Sequence, residues 1–268
     1  MSADPTELDL LAEALRKTMT DHTGAALDAA LDGMGWRDML TELPYETVPL
    51  VFRLLGETGA HASVLNDVVL HEAGRPQVGS VPLPYVGGSQ VVWERGTDLT
   101  PADALDQELP WRLTPTGTHA LPLAAGRRAL AWWLTGTARA MLALARQHAV
   151  DRTQFGRPIA SFQAVRHRLA ETLIAIEGAE AALTVADDDR GDLSSLLAKA
   201  AAGRAALTAA RHCQQVLGGI GFTAEHALHR HVRRAYALDG LLGSARELTR
   251  EAGARLRSEG RATRIAQL

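Results

Sequence analysis

Apolar side chains recur every three or four residues over most of the chain, which is the period of an amphipathic helix. Leu8, Leu11, Leu15 and Met19, for example, fall on one face of a helix near the amino terminus. Clusters of glycine, proline and aspartate separate the periodic segments and mark their ends. The helices predicted from this pattern span residues 6–20, 25–32, 47–73 (with an interruption near Gly56 and Gly59), 121–149, 159–187, 193–217, 224–238 and 242–258.

The helical period is lost in the middle of the chain, where proline and glycine are frequent. Short runs typical of β-strands occur there instead, at Gln77–Val81, Ser89–Trp93 and Trp111–Thr114. They are too few and too short for an independent sheet domain. The predicted parts are an N-terminal helical domain at 1–73, a reduced middle β segment at 74–118 and a C-terminal helical domain at 119–268.

Long helices joined by short loops dominate the C-terminal part. Because a short loop makes consecutive helices antiparallel neighbours, this pattern predicts an up-and-down bundle of the four-helix type. We therefore expect a mainly α-helical fold.

Composition excludes several classes of protein. Of the 268 residues, 46% are hydrophobic and 22% are charged, which is ordinary for a globular protein. The net charge of −3 gives no reason to expect nucleic acid or a membrane surface as a partner. Cys213 is the single cysteine, so neither an intrachain disulfide nor a cysteine-based metal cluster is expected. No leader-like start and no long apolar run is present, which favours a cytoplasmic protein.

Two loops of the C-terminal part carry candidate chemistry. In the first, Arg152 precedes a turn that contains Gly156 and Pro158, and an arginine fork there could bind a phosphate, although such arginines are more often simply solvated. In the second, glycines follow a helix at Gly218, Gly219 and Gly221. They allow a ligand to approach the backbone closely, but they also suit an ordinary helix C-cap. No strand precedes them, so they are not a dinucleotide fingerprint.

A metal site is not expected. His226, His229 and His231 could share a helix face, but the arginines around them would repel a cation. The acidic run Asp187–Asp189 is expected to form a solvated turn.

Together the two loops resemble the C-terminal domain of the acyl-CoA dehydrogenase family. The pattern Arg-x-Gln-Phe-Gly-x-Pro-Ile-x-x-Phe-Gln begins at Arg152, and Gln-x-Leu-Gly-Gly-x-Gly-Phe begins at Gln215. The resemblance covers roughly residues 121–257. It implies an acyl-CoA dehydrogenase-like fold, in which N-terminal helices, a middle β domain and a C-terminal four-helix domain enclose FAD. In the family a glutamate removes the proton next to the thioester carbonyl, and a hydride passes to the flavin.

The resemblance also implies roles for individual residues. Arg152 and Gln154 would contact the pyrophosphate and adenosine region of FAD, which in the family is held mainly by a neighbouring subunit. Arg127 matches a family arginine on the acyl-CoA side. The full set of cofactor-binding residues that it implies is Arg152, Gln154, Phe155, Phe162, Gln163, Gln215, Gly218 and Gly219.

The sequence departs from the family where the chemistry would occur. Leu242, followed by Gly243 and Ser244, stands where the family has its Glu-Gly-Thr base motif. Gly126 stands at the alternative base position on the first long helix of the C-terminal domain. Neither residue can take a proton, and a positioned general base contributes about 10²–10⁴ in rate. No catalytic residue is therefore predicted.

We expect a non-catalytic subunit of a heteromeric acyl-CoA dehydrogenase, which shares FAD with a full-length partner in an α2β2 assembly. The substrate would be an acyl-CoA, by analogy one with a steroid side chain. Two alternatives stay open. One is a flavin-free scaffold, and the other is a self-sufficient dehydrogenase that uses Asp239 or Glu247 as a relocated base. Asp239 precedes Leu242 by three residues, so the two could lie on one helix face.

Overall fold

The computed structural model describes residues 4–95, 105–114 and 121–260, and within these ranges the protein is mainly helical. Two groups of helices flank a small sheet. The first group is α1 (Pro5–Asp21), α2 (Ala25–Gly33), α3 (Trp36–Glu42), α4 (Pro44–Thr58) and α5 (Leu65–Glu72). The second is α6 (Ala124–Asp151), α7 (Gln163–Asp189), α8 (Asp192–Leu217), α9 (Leu228–Gly240) and α10 (Ala245–Glu259). The expected fold class is confirmed.

The observed helices agree with the predicted ones except between α2 and α5. The interruption predicted near Gly59 within 47–73 is confirmed, because the chain leaves the helix there with a φ of +74°, whereas Gly56 lies inside α4. Glycine adopts this left-handed conformation more easily than any other residue, and it commonly ends helices. The seven-residue helix α3 was not predicted, since two turns are too short to display a period.

Three strands form an antiparallel sheet in the order β1-β2-β3, with β1 at Pro82–Tyr85, β2 at Ser89–Trp93 and β3 at Trp111–Thr114. The predictions of β2 and β3 are confirmed, but the strand predicted at Gln77–Val81 is wrong. The observed strand begins at Pro82 instead. Proline is tolerated there because β1 is an edge strand, in which not every backbone N–H needs a partner. The boundary predicted between residues 118 and 119 lies outside the described residues.

The long helices of the second group form the expected bundle. The chain passes from α6 to α7 through a small hairpin of β4 (Thr153–Gln154) and β5 (Arg157–Pro158), and from α7 to α8 through two residues. Consecutive helices therefore alternate in direction, and α9 and α10 pack across α8. The carboxyl ends of α6 and α8 consequently lie at the same end of the bundle. No helix among the described residues is both long and apolar enough to cross a membrane.

Helix α6 is also the contact between the two groups of helices, because α4 crosses it with backbone against backbone. A Cβ atom placed on Gly136 would lie 2.2 Å from the carbonyl oxygen of Arg53, and one on Gly56 would lie 2.3 Å from that of Trp133. Next to this crossing the ring of Trp133 packs edge-on against Phe52, with 5.8 Å between centroids. The two groups thus share one hydrophobic core.

A buried charge cluster joins residues 105–110 to α9. Arg234 is 1% exposed, and its Nε donates to Asp106 Oδ2 at 2.5 Å. His61 and His231 are buried beside this arginine. Burial, reinforced by the positive charge of Arg234, lowers the pKa of His61 to about 3 and the pKa of His231 to about 4. Both rings are therefore neutral in the folded protein near pH 7.

We predict that Gly136→Ala lowers the free energy of unfolding by roughly 1–3 kcal/mol, because the added methyl group has no space at the α4–α6 crossing. Gly178→Ala is the matched control, since that helical glycine of α7 has open space around it. It should be neutral or should stabilise by roughly 0.5–1 kcal/mol. Denaturant unfolding measures both, and equal effects would contradict the close crossing.

The buried histidines predict a loss of stability in mild acid. A histidine of the unfolded chain binds a proton near pH 6.5, whereas His61 does so only near pH 3 when folded. The free energy of unfolding should therefore fall as the pH drops from about 6.5 to about 4, by roughly 2–3 kcal/mol for each histidine.

His61→Gln should reduce this pH dependence, whatever it does to stability at pH 7. The exposed His22 provides the control, and His61→Gln should change the slope more than His22→Gln does. Unfolding curves at several pH values decide the matter. An identical slope in the wild-type protein and His61→Gln would show that His61 takes up its proton without unfolding.

Candidate functional site

The turn between α9 and α10 holds Leu242 in a left-handed conformation, with a φ of +56°. Such a backbone costs a residue other than glycine roughly 1–2 kcal/mol, so surrounding contacts must hold it. The Leu242 N–H donates to the carbonyl oxygen of Pro84 in β1 at 2.8 Å. Its own carbonyl accepts from Arg127 Nε at 3.3 Å, and its side chain is buried.

A buried lysine holds the same turn from the inside. Lys199 Nζ donates to the carbonyl oxygens of Asp239 and Gly243, both at 2.6 Å. The Asp239 carboxylate lies 3.9 Å from this ammonium and accepts from the backbone N–H of Ala245 at 3.1 Å. Burial lowers the pKa of Lys199 to about 8, against the attraction of Asp239. Sequence reasoning missed Lys199, because a buried cation has no local signature.

The side chain of Leu242 packs against Gly126 at the start of α6. A Cβ atom on Gly126 would lie 3.1 Å from Leu242 Cδ1 and 2.8 Å from Val69 Cγ2. The two positions at which the family resemblance places a base therefore meet in space. Apolar groups fill the region between them, so a carboxylate is lacking and a larger side chain at residue 126 has no room.

The carboxylates of Asp239 and Glu247, the two alternative bases, form hydrogen bonds within the protein. Glu247 Oε2 accepts from the Ser244 backbone N–H at 2.9 Å in a capping box that begins α10. Glu247 Oε1 also accepts from the N–H of Gly87 at 3.3 Å. Burial raises the pKa of Glu247, but these hydrogen bonds outweigh it and leave the pKa below its usual value. The expected common helix of Asp239 and Leu242 is wrong, because α9 ends at Gly240.

Arg127, predicted to lie on the acyl-CoA side, is buried and bonded within the chain. Besides the carbonyl of Leu242, its guanidinium contacts Asp192 at 3.1 Å and Glu251 at 3.9 Å. It therefore ties the Leu242 turn to α8 and α10.

Asp187, expected in a solvated turn, lies inside α7 and is partly buried. Its carboxylate accepts from Trp132 Nε1 at 2.9 Å and lies 3.3 Å from Arg128 Nε. Among the described residues, no three histidine, cysteine, aspartate or glutamate side chains are grouped to hold a metal.

The hairpin after α6 is exposed to solvent. Phe155 at its tip has a φ of +51° and is 90% exposed. With the Gln154 amide oxygen turned toward it, the Arg152 guanidinium donates to that oxygen from Nε at 3.2 Å and from Nη2 at 2.8 Å. The Arg157 guanidinium lies 4.4 Å from the ring centroid of Phe162, just before Gln163 begins α7. The hairpin thus presents a guanidinium and an aromatic ring outward.

The glycine segment after α8 lies at the same end of the bundle. Gly218 has a φ of +67° and ends α8, as the C-cap interpretation predicted. A Cβ atom on Gly218 or Gly219 would meet nothing within 4 Å, so the backbone there is open. Gln215 is exposed and Phe222 is 63% exposed. The ring of His148 in α6 contacts the ring of His226, which links this segment to the end of α6.

A family model for the acyl-CoA dehydrogenase C-terminal domain matches residues 119–256. Acyl-CoA dehydrogenase FadE34 of Mycobacterium tuberculosis is 45% identical over 117 residues, which are 41% of this chain and 16% of FadE34. Acyl-CoA dehydrogenase IpdE2 of the same organism is 40% identical over 124 residues, which are 46% of this chain and 38% of IpdE2. The matched segment is thus well under half the length of either curated relative.

Two solved structures share the fold over nearly the whole chain. A chain of the Tcur3481-Tcur3483 steroid ACAD G363A variant superposes with a TM-score of 0.75 at 20% identity, covering 95% of this chain and 98% of its own. A chain of the ChsE4-ChsE5 complex from Mycobacterium tuberculosis gives 0.73 at 19% identity, covering 97% and 99%. At these identities the likeness shows the fold alone.

The packing around Leu242 generates a prediction. Leu242→Glu buries a carboxylate against Gly126 and Val69, which should lower the free energy of unfolding by roughly 2–4 kcal/mol. The control is Leu173→Glu on the outer surface of α7, where the leucine is 42% exposed and the change should stay within about 0.5 kcal/mol. Chemical denaturation compares the two, and wild-type stability of Leu242→Glu would refute the closed packing.

Proposed function

The chain belongs to the acyl-CoA dehydrogenase family, and from this premise we propose that it is a subunit of a heteromeric FAD-dependent acyl-CoA dehydrogenase. Proteins of the family are oxidoreductases that bind FAD. In the proposal this chain contributes to an FAD site on a full-length partner subunit and has no base of its own.

The separation of the two candidate sites carries the proposal. Gly126, against Leu242, lies in the first turn of α6, and Arg152 directly follows its last residue. At 1.5 Å per residue these positions are about 39 Å apart along the helix. The flavin ring and the diphosphate of FAD are joined by a short ribityl chain, so one FAD molecule could not reach both. The Arg152 hairpin therefore needs a flavin whose ring is held elsewhere.

The residues near Leu242 do not fit a flavin ring. Tyr85 of β1 bridges to Leu241, and a Cβ atom on Gly240 would lie 2.8 Å from the ring of Tyr85. The sheet thus packs directly on the turn, and Leu242 itself is buried.

The exposed end of the bundle does fit the diphosphate and adenosine part of FAD. The Arg152 fork can donate two parallel hydrogen bonds to a phosphate when a phosphate replaces the Gln154 oxygen as its acceptor. The open backbone at Gly218–Gly219 allows close approach, and the neighbouring Gln154 and Gln215 offer amide groups. Phe155 supplies an aromatic face, and Phe162 and Gln163 follow behind it. When bound, the flavin would supply the hydride acceptor, while the residues of this chain bind and orient its distal half.

Exposed apolar groups support a protein partner. Besides Phe155, the side chains of Phe222 and Ile220 are 63% and 40% exposed at this end of the bundle, and Ile174 of α7 is 71% exposed. Apolar surface of this kind marks interaction sites. The similar fold of a chain in the ChsE4-ChsE5 complex agrees with a heteromeric assembly, for which we propose α2β2.

The partner would supply the glutamate base and the complete middle domain, and the substrate would be an acyl-CoA. The likeness to a steroid ACAD suggests a steroid side chain as the acyl group. The scaffold alternative gives no reason for the exposed Arg152 and Gln215. The self-sufficient alternative is weakened by the structural hydrogen bonds of Asp239 and Glu247.

Substitution of Arg152 tests the role of the hairpin. In a complex co-purified with a full-length acyl-CoA dehydrogenase subunit, Arg152→Ala should weaken FAD binding by roughly 10- to 150-fold while the helices stay folded. Arg152→Lys should restore part of it, because lysine cannot form the bidentate contact. Flavin absorbance per complex gives the occupancy.

The control for this experiment is Arg246→Ala on the exposed face of α10, which should leave the flavin content unchanged. Full flavin occupancy in Arg152→Ala would mean that the hairpin does not contact FAD.

A further inference from the structure

A cavity of about 310 Å³ lies between the N-terminal helices and the bundle. Its apolar lining includes the buried Leu40 of α3 and Val68 of α5 and the partly buried Val48 of α4. Its exposed lining includes Tyr45 and Arg190. The volume is at the lower end of the range for small-molecule pockets, so it suits a compact ligand.

This cavity is separate from the closed region at Leu242. The residues of α6 that line it are Ala125 and Arg128, whereas Gly126 faces Leu242. Because successive residues are rotated by roughly 100° around a helix, these groups lie on different sides of α6. The Arg152 hairpin is at the far end of the same helix.

Both carboxylates of the cavity wall accept hydrogen bonds from the protein, although Glu72 Oε2 has no partner among the described residues. Asp187 accepts from Trp132 Nε1 and lies 3.3 Å from Arg128 Nε. Glu72 Oε1 accepts from the Ala125 N–H at 2.9 Å, at the positive end of the α6 dipole. The second cation of the wall, Arg190, has no carboxylate within 4 Å among the described residues, although its charge still acts on Asp187.

Arg190 combines a left-handed backbone with a side chain that stacks on an aromatic ring. It follows α7 with a φ of +56°, a conformation in which glycine would be free of strain, whereas the next residue, Gly191, has a φ of −71°. Its guanidinium carbon lies 3.5 Å from the ring centroid of Tyr45, and its Nε donates to the Asp187 carbonyl. Neither Nη atom has an acceptor within the part of the chain that is described. The strained position thus presents an unpaired guanidinium fork at the cavity.

We propose that this cavity binds a small organic carboxylate. The carboxylate pairs with the free Nη groups of Arg190, whose planar fork matches it, and the body of the ligand packs against Val48 and Val68. This site is independent of the proposed FAD role, and its test requires no flavin and no partner subunit.

Calorimetric titration of the 268-residue chain tests the site. Benzoate and hexanoate are the anionic probes, and benzamide and hexanamide are their neutral counterparts. At least one carboxylate should bind saturably, and its amide should bind at least about tenfold more weakly, because a charged hydrogen bond is lost. Failure of both carboxylates to saturate, or equal binding of the acid and its amide, would overturn the proposal.

Arg190→Gly removes the guanidinium without straining the backbone, since glycine accepts the left-handed conformation. Its thermal unfolding should match that of the wild-type protein, while carboxylate affinity falls by about tenfold or more. Arg168→Ala, on the exposed surface of α7 away from the cavity lining, should bind as the wild type does. Unchanged affinity in Arg190→Gly would show that this arginine only stacks on Tyr45.

Discussion

Helix α6 fixes the distance between the closely packed region around Leu242 and the exposed hairpin at Arg152. Its first turn carries Gly126 against Leu242, and its last residue leads into the Arg152 hairpin. The helix cannot shift easily, because the backbone contact at Gly136 locks it to α4. The proposal that two subunits share one FAD site depends on this spacing. A chain that has lost the ring end of its own flavin site can still offer the opposite end of the bundle to another subunit.

Several polar contacts fix the backbone of the Leu242 turn, although the side chain of Leu242 is apolar. Lys199, Arg127 and the Pro84 carbonyl all bond to the backbone of the turn, and the Ser244 cap follows it. These contacts stabilise a left-handed leucine, which would otherwise be unfavourable. They join the sheet, α6, α8 and α10 around one buried point.

Sequence periodicity was sufficient for the long helices, because each of α6, α7 and α8 repeats its pattern over many turns. It failed for α3 and for the first strand, where the segments are short and proline sits at a sheet edge. The resemblance singled out Leu242 and Gly126 separately, but their contact depends on long-range packing. No sequence pattern pointed to Lys199 or Arg190. The burial of Lys199 and the left-handed backbone of Arg190 both result from the tertiary fold.

The flavin content of the chain purified without a partner tests the proposed division between two subunits most directly. After incubation with excess FAD and removal of free cofactor, the visible absorbance of the protein reports the bound flavin. We expect a colourless chain, because the region around Leu242 has no space for the flavin ring. A yellow protein that holds one FAD per chain would contradict the proposal.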